Sequence, residues 1–230
     1  MKKSTKILIA VFGFFTLLIM GFNYLWQDQN PALILKFFVR ILMVATAIGI
    51  KKEHKYQTLL AVAFGFTLFS DFFFVLMRCF SPDFSYRNLL GITGFIGAYL
   101  FLVLAFFKGI RFSRSAFFTA LPFLAVYMVV LIDLFRYVEG ALLAAAIILG
   151  IILVVMATVL IGTIKRETFP KKAAVLASIS AVLLFGSDIV VAYSLFHPDF
   201  HHFILVKENF IWVTYMAGWL ALLCILNERE

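Results

Sequence analysis

The sequence predicts an all-α membrane protein with eight transmembrane helices. Of its 230 residues, 64% are hydrophobic and only 14% are charged, whereas a soluble domain has about 45–50% apolar and about 25% charged residues. The apolar residues form eight stretches, each close to the roughly 20 residues that cross a bilayer as a helix. This composition excludes a soluble enzyme, a disordered chain and a disulfide-rich secreted domain. We therefore expect a single transmembrane domain over residues 1–230.

The eight predicted helices follow one another through short connections that carry proline, charge or small polar residues. Their length and the lack of period-2 alternation favour helices over barrel strands. The first stretch has a basic start like a signal peptide, but it is too long for a signal and no cleavage motif follows, so we expect it to be retained. The predicted helices span residues 7–26, 31–50, 57–77, 88–107, 115–135, 138–164, 172–196 and 205–226.

The basic residues predict the orientation, because the cytoplasmic loops of membrane proteins carry an excess of Lys and Arg. With the N-terminus inside, 14 of the 20 basic residues fall on the cytoplasmic side, four on the outer side and two within the second helix. We therefore expect both termini in the cytoplasm and, from the Lys-rich start, a bacterial inner membrane. The net charge of +8 then reflects topology, and no nucleic-acid partner is expected. The cytoplasmic set comprises Lys2, Lys3, Lys6, Lys51, Lys52, Lys55, Lys108, Arg111, Arg114, Lys165, Arg166, Lys171, Lys172 and Arg229, and the outer set comprises Arg78, Arg87, Arg136 and Lys207.

Cysteine and histidine do not predict a metal or cofactor site. Cys79 and Cys224 fall near opposite membrane faces, so a disulfide within one chain is not expected. His197, His201 and His202 share one outer loop, but no second set of ligands with definite spacing accompanies them. The sequence also carries no glycine-rich nucleotide-binding motif. We expect no metal and no cofactor.

Two segments half a chain apart resemble each other. Ser-Asp occurs at 70–71 and 187–188, and Pro-Asp-Phe occurs at 82–84 and 198–200, with offsets of 117 and 116 residues. Both copies run outward through the membrane, so they predict a parallel repeat of four helices plus four. The alternative is chance similarity within apolar sequence, but the matching residues are the rare polar ones.

Four charged residues lie inside predicted helices rather than at helix ends: Lys36, Arg40, Asp71 and Asp188. At about 1.5 Å per residue, all four fall in one layer roughly 7–14 Å below the outer boundary. Because a charge at the bilayer centre costs about 2.5–3.5 kcal/mol, such residues normally pair or face a wet cavity. We predict a polar cluster that forms a functional site, and the alternative is an ion-pair network that only fixes helix packing.

The two carboxyl groups suggest acid–base chemistry. In a cavity of low dielectric, a carboxylate beside a cation stays ionised while a second carboxyl group can stay protonated, which provides a base and an acid. Ser70 and Ser187 precede the two acids, but neither lies in a nucleophile elbow, so we interpret them as hydrogen-bonding or packing residues.

These polar motifs resemble those of the YhhN-like membrane protein family, which includes the lysoplasmalogenases. The family has a Lys early in its second helix, which matches Lys36, and an acidic motif in its third, which matches Ser70-Asp71. An FxxSD phrase in its seventh helix matches residues 185–188, and a TY pair in its last helix matches Thr214-Tyr215. The chain departs from the family pattern at four positions, which are Phe37 for Pro, Tyr99 for His, Leu102 for Tyr and Trp219 for Gln.

The resemblance implies a membrane enzyme that cleaves the vinyl-ether bond of a lysoplasmalogen, a lysophospholipid, to a fatty aldehyde and a glycerophospho-alcohol. Asp71 and Asp188 would then form the acid–base pair. Lys36 and Arg40 would hold the phosphate. Tyr99 would donate a hydrogen bond in place of the family's His, and Tyr215 would also face the substrate.

Two other functions fit the same sequence features. A small-molecule or proton-coupled transporter fits the predicted repeat and the acid–base cluster, although the third and seventh predicted helices have no internal proline. A non-catalytic membrane protein that binds a lipid fits the departures at Tyr99 and Trp219.

Overall fold

The computed structural model describes residues 2–25, 30–81, 83–107, 114–167 and 169–227, without the side chains of residues 201–207. Several residues that enter the predictions lie outside this description. They are Trp26 at the predicted end of the first helix, Pro82 of the first Pro-Asp-Phe turn, Lys108, Arg111 and Arg229 of the cytoplasmic set, and the side chains of His201, His202 and Lys207.

The structure confirms an all-helical fold with eight helices that are long and apolar enough to cross a membrane. The described residues contain no strand. The predicted stretches agree with the observed helices to within a few residues. The helices are α1 (Lys3–Leu25), α2 (Asn30–Gly49), α3 (Lys55–Phe80), α4 (Arg87–Phe106), α5 (Arg114–Leu134), α6 (Gly140–Gly162), α7 (Lys171–Phe196) and α8 (Ile204–Asn227).

Helix α3 differs from the prediction because it is not a continuous α-helix. After Asp71 the chain widens into one π-helical segment, Phe72–Leu76, and then returns to α-helix over Met77–Phe80. The backbone N–H of Met77 donates to the carbonyl of Phe72, five residues earlier, which is the π-helical spacing. No proline or glycine marks this segment in the sequence. Single π-turns inside α-helices occur frequently at functional sites.

Helix α3 lies along α4, and α7 lies along α8. In each pair the serine before the buried acid ties the two helices together. The Ser70 hydroxyl donates to the Gly91 carbonyl at 2.6 Å, and the Ser187 hydroxyl donates to the Ile211 carbonyl at 3.3 Å. These bonds confirm the hydrogen-bonding interpretation of the serines. They also support the predicted repeat, because in each half the serine bonds to a carbonyl of the helix that follows.

The other helices complete the bundle around these two pairs. Helix α1 packs on α8, and a hydrogen bond of 2.8 Å joins Asn23 to Asn209 between them. Helix α5 lies at the periphery and packs mainly on α6. The turn between α5 and α6 requires Gly140, whose φ of 60° is unfavourable for residues with a side chain. The buried core centres on α2, α3, α4, α6, α7 and α8.

Candidate functional site

A cavity of about 400 Å³ lies among α2, α3, α4, α7 and α8. It extends to the end of the bundle where α3 ends and α4 begins, which we call the distal end. Its wall combines charged and other polar side chains with apolar ones. The polar lining residues are Lys36, Asp71, Arg78, Arg87, Asn88, Ser187, Asp188, Ser194, Glu208, Trp212 and Tyr215.

Asp71 is held on one oxygen by two donors. Its Oδ2 accepts from Arg40 Nε at 2.7 Å and from the Tyr215 hydroxyl at 2.9 Å. Arg40 is fully buried, and its Nη2 also donates to the Thr67 hydroxyl at 2.6 Å. The guanidinium lies 4.6 Å from the ring centroid of Tyr215, within cation–π range. Arg40 is absent from the cavity wall, so it lies behind Asp71 and orients that carboxylate.

Asp188 has a different environment. It lines the same cavity, but it forms no ion pair with any described Lys or Arg, and its Oδ2 has no hydrogen-bond partner. The fully buried Tyr99 lies within electrostatic reach of Asp188, although its hydroxyl makes no hydrogen bond of standard geometry. The two predicted acids are therefore brought to one cavity, one with a cation and one without.

Each acid faces a tyrosine from the other half of the chain. Asp71 on α3 binds Tyr215 on α8, and Asp188 on α7 faces Tyr99 on α4. The two tyrosines are 116 residues apart and the two acids 117. A parallel repeat that exchanges α3 with α7 and α4 with α8 converts one of these pairs into the other, which again supports that repeat.

Lys36 pairs with an acid that the sequence analysis did not single out. Its Nζ lies 2.9 Å from Glu208 Oε2, and Arg78 Nη1 lies 3.1 Å from Glu208 Oε1. Glu208 lies at the distal end of α8, where a charge needs no special explanation from sequence. The sequence did contain a sign that Glu208 belongs to the site. Glu208 lies four residues before Trp212 and seven before Tyr215, and these spacings place all three on one helix face.

Several polar atoms on the cavity wall have no hydrogen-bond partner within the described part of the chain. Buried polar groups are normally satisfied, so a cluster of unsatisfied ones indicates a polar ligand. The atoms are Arg87 Nε, Asn88 Oδ1, Asp188 Oδ2, Ser194 Oγ and Trp212 Nε1.

A second cavity, of about 100 Å³, adjoins the first and is almost entirely apolar. It lies between α4, α5, α6 and α7. One of its walls forms where Tyr127 packs closely against Gly150. Phe74, Phe95 and Asp188 line both cavities. Asp188 is thus the ionisable residue at the boundary between a polar and an apolar compartment.

Two of the departures from the family pattern, Tyr99 and Trp219, lie close to this site. Trp219 is fully buried against Phe64, with ring centroids 4.9 Å apart, and its ring lies 5.6 Å from the Arg40 guanidinium. Leu102 is fully buried in the core. Within the described part of the chain, the Thr214 hydroxyl of the predicted TY pair donates to two carbonyls of its own helix, those of Phe210 and Ile211.

The fold and the site define a polytopic α-helical membrane protein with a polar cavity inside its bundle. The chain belongs to the YhhN family, whose model matches residues 31–225. This match confirms the resemblance and covers every residue of the cavity wall. No curated protein and no solved structure matches the chain.

Proposed function

We propose that this protein is a lipid hydrolase that cleaves the vinyl-ether bond of a lysoplasmalogen. One observation carries the proposal beyond family membership: Asp188 lies where the polar cavity meets the apolar one. The vinyl-ether bond of a lysoplasmalogen likewise lies where the glycerophosphate head meets the hydrocarbon chain. A lipid with its head in the large cavity and its chain in the apolar one brings that bond to Asp188.

The first step is proton transfer from Asp188 to the vinyl carbon farther from the ether oxygen. The double bond supplies the electron pair for the new C–H bond, and the remaining positive charge is shared between the other carbon and the ether oxygen. Asp188 suits the role of acid because no described cation pairs with it.

The second step is attack of water on the charged carbon, with Asp71 as the base. Asp71 suits this role because Arg40 and Tyr215 hold one of its oxygens and keep the carboxylate oriented in the cavity wall. The resulting hemiacetal then breaks its bond to the glycerol oxygen. Asp71 gives the proton it took from water to that oxygen, which leaves as the alcohol. Asp188 takes the proton of the hemiacetal hydroxyl, which releases the fatty aldehyde and restores both acids.

The other predicted site residues receive different roles in this proposal. Arg40 is a positioning residue for Asp71 and does not bind phosphate, because it is enclosed by Thr67, Tyr215 and the core. Tyr215 orients Asp71, and Tyr99 faces Asp188. Lys36 lines the cavity and remains a candidate to contact the head group.

The test is turnover of a lysoplasmalogen by purified protein in nanodiscs, measured as aldehyde release. The reaction in heavy water places one deuterium on the carbon next to the aldehyde, and labelled water supplies the aldehyde oxygen. We expect Asp71→Asn and Asp188→Asn each to lower kcat/KM by about 100-fold or more, the scale of general acid–base catalysis. Size-exclusion profiles check that both variants are folded.

A saturated alkyl ether serves as the matched control substrate, because it binds alike but cannot be protonated at carbon. Full activity in both variants would refute the mechanism. A lipid that binds and stays unchanged would instead indicate a non-catalytic lipid-binding protein. Flux of a solute into proteoliposomes without chemical change would indicate a transporter.

We also propose that the protein resides in a bacterial inner membrane with both termini in the cytoplasm. Basic residues at the end of the bundle opposite the distal end support this orientation, because cytoplasmic loops are rich in Lys and Arg. Among those that the structure describes are Lys51, Lys165 and Lys171. In this orientation the large cavity opens toward the outer side of the membrane.

A further inference from the structure

The distal mouth of the large cavity holds more positive than negative charge. Lys36, Arg78 and Arg87 line it, and Glu208 is the carboxylate beside them. Glu208 uses one oxygen for Lys36 and the other for Arg78. Asp71 lies deeper and is already paired with Arg40. Arg87 has no ion-pair partner among the described residues.

Two of these cations come from the ends of helices that follow each other in the chain. Arg78 lies near the end of α3 and Arg87 at the start of α4, and both line the cavity. Asp83, in the loop that joins these helices, makes no ion pair with a described residue. Arg87 Nε and the neighbouring Asn88 Oδ1 also lack hydrogen-bond partners. Two guanidinium groups that line one cavity, one of them with an unused Nε donor, match the oxygens of a phosphate group.

We propose that Arg78 and Arg87, with Lys36, bind the phosphate of a lipid whose head group is negatively charged overall. The phosphate follows from the unused donors and the unbalanced charge. The preference for an anionic head group follows from Glu208, because both oxygens of that carboxylate are engaged by Lys36 and Arg78. The ammonium group of a zwitterionic lipid therefore has to compete with Lys36 and Arg78 for Glu208.

This inference rests on the proposed function, in which the hydrocarbon chain of the lipid enters the apolar cavity. What is new is the class of head group that the large cavity binds. It places the phosphate at the distal mouth rather than beside Arg40.

The test measures binding of tritiated alkylglycerol phosphate to protein in nanodiscs. This probe has a saturated ether, so its affinity does not depend on turnover. The competitors are alkylglycerophosphocholine, alkylglycerol and inorganic phosphate. We expect Arg78→Gln and Arg87→Gln each to weaken binding of the probe about tenfold or more, the scale of one charge-assisted hydrogen bond. Arg87→Lys, which keeps the charge, should retain part of the affinity.

Arg136→Gln is the matched control, because Arg136 is an exposed arginine at the same end that pairs with Asp133 at 3.6 Å. We expect it to bind the probe as the unmodified protein does. Glu208→Gln should tighten binding several-fold, since it frees Lys36 and Arg78. Alkylglycerol should bind all variants equally.

Unchanged affinity in Arg87→Gln, or weaker binding in Glu208→Gln, would overturn the proposal. Competition by inorganic phosphate as strong as that by the lipid would show a free-anion site instead of a head-group site. Equal competition by the phosphocholine lipid would overturn the charge preference. If binding behaves as expected and no lysoplasmalogen is cleaved, the head-group site stands and the hydrolase proposal fails.

Discussion

The environment of Arg40 explains how a charge is held inside the bundle. Its guanidinium meets a carboxylate, a hydroxyl and two aromatic rings at once, from Asp71, Thr67, Tyr215 and Trp219. A planar group with several donors can satisfy all of these, whereas an ammonium cannot. Removing one partner of such a buried pair leaves the other charge without compensation, which is more damaging than losing both charges.

Arg40→Gln is therefore expected to lower the free energy of unfolding by about 3–5 kcal/mol, as for other broken buried ion pairs. The double variant Arg40→Gln/Asp71→Asn should be more stable than Arg40→Gln alone, because no unpaired carboxylate remains. Unfolding in mixed micelles, followed by circular dichroism, measures both. Losses that simply add would contradict the buried-pair account.

For individual residues, the sequence predicted the two acids that line the cavity but not the charged residues at its distal end. Asp71 and Asp188 were predictable because a carboxyl group in the middle of an apolar stretch needs an explanation. Arg78, Arg87 and Glu208 lie at helix ends, where a charge can face either water or a cavity. Whether such a charge faces water or a cavity depends on which way its side of the helix points. That is decided by tertiary packing, which the sequence does not show.

The contact between α3 and α4 positions Ser70 and Asp71. A Cβ atom added at Gly94 would lie 2.8 Å from Ser70 Cβ and 2.9 Å from Ser70 Cα. The obstacle is partly backbone, so the helices must separate to accommodate it. This close approach is what allows Ser70 to reach the Gly91 carbonyl.

Gly94→Ala is expected to destabilise the fold by about 1–3 kcal/mol, the range for overpacking, and to reduce lysoplasmalogen turnover. Gly65→Ala on α3 is the matched control, because a Cβ there would meet nothing within 4 Å. It should be neutral or stabilising by up to about 1 kcal/mol. Thermal unfolding in detergent distinguishes the two, and equal effects would argue against the close-contact account.

The helices themselves were predictable because length and hydropathy suffice to identify them. The π-helical segment Phe72–Leu76 was not, since its residues are as apolar as their neighbours. A π-turn changes the angle about the axis of α3 between the side chains of Asp71 and Arg78. It therefore affects whether both can face the cavity, and both line it.

For the whole molecule, the predicted repeat is approximate in sequence and asymmetric in charge. It relates the crossed pairs Asp71–Tyr215 and Asp188–Tyr99, but it does not relate the cations. At the same offset of 117 residues, Lys36 corresponds to Leu153 and Arg40 to Ala157, both apolar and buried. One acid thus has an arginine and its counterpart has none, and this asymmetry distinguishes the proposed base from the proposed acid.

The orientation of the whole bundle decides which leaflet supplies the substrate. The cavity mouth lies at the distal end, between α3 and α4, whereas the basic loops that predict the cytoplasmic side lie at the other end. The site should therefore draw lipid from the outer leaflet. Single cysteines placed in exposed loops at the two ends, Ser85→Cys and Lys51→Cys, test this in a Cys79→Ser background.

We expect a membrane-impermeant maleimide to label Ser85→Cys in intact spheroplasts and to label Lys51→Cys only after permeabilisation. The remaining native thiol, Cys224, is buried and provides the background signal. The opposite pattern would place the cavity mouth on the cytoplasmic side. If the mouth lay on the cytoplasmic side, lysoplasmalogen added outside would be cleaved only after it crossed the membrane. The same spheroplasts test this directly, because we expect aldehyde release from added lysoplasmalogen without permeabilisation.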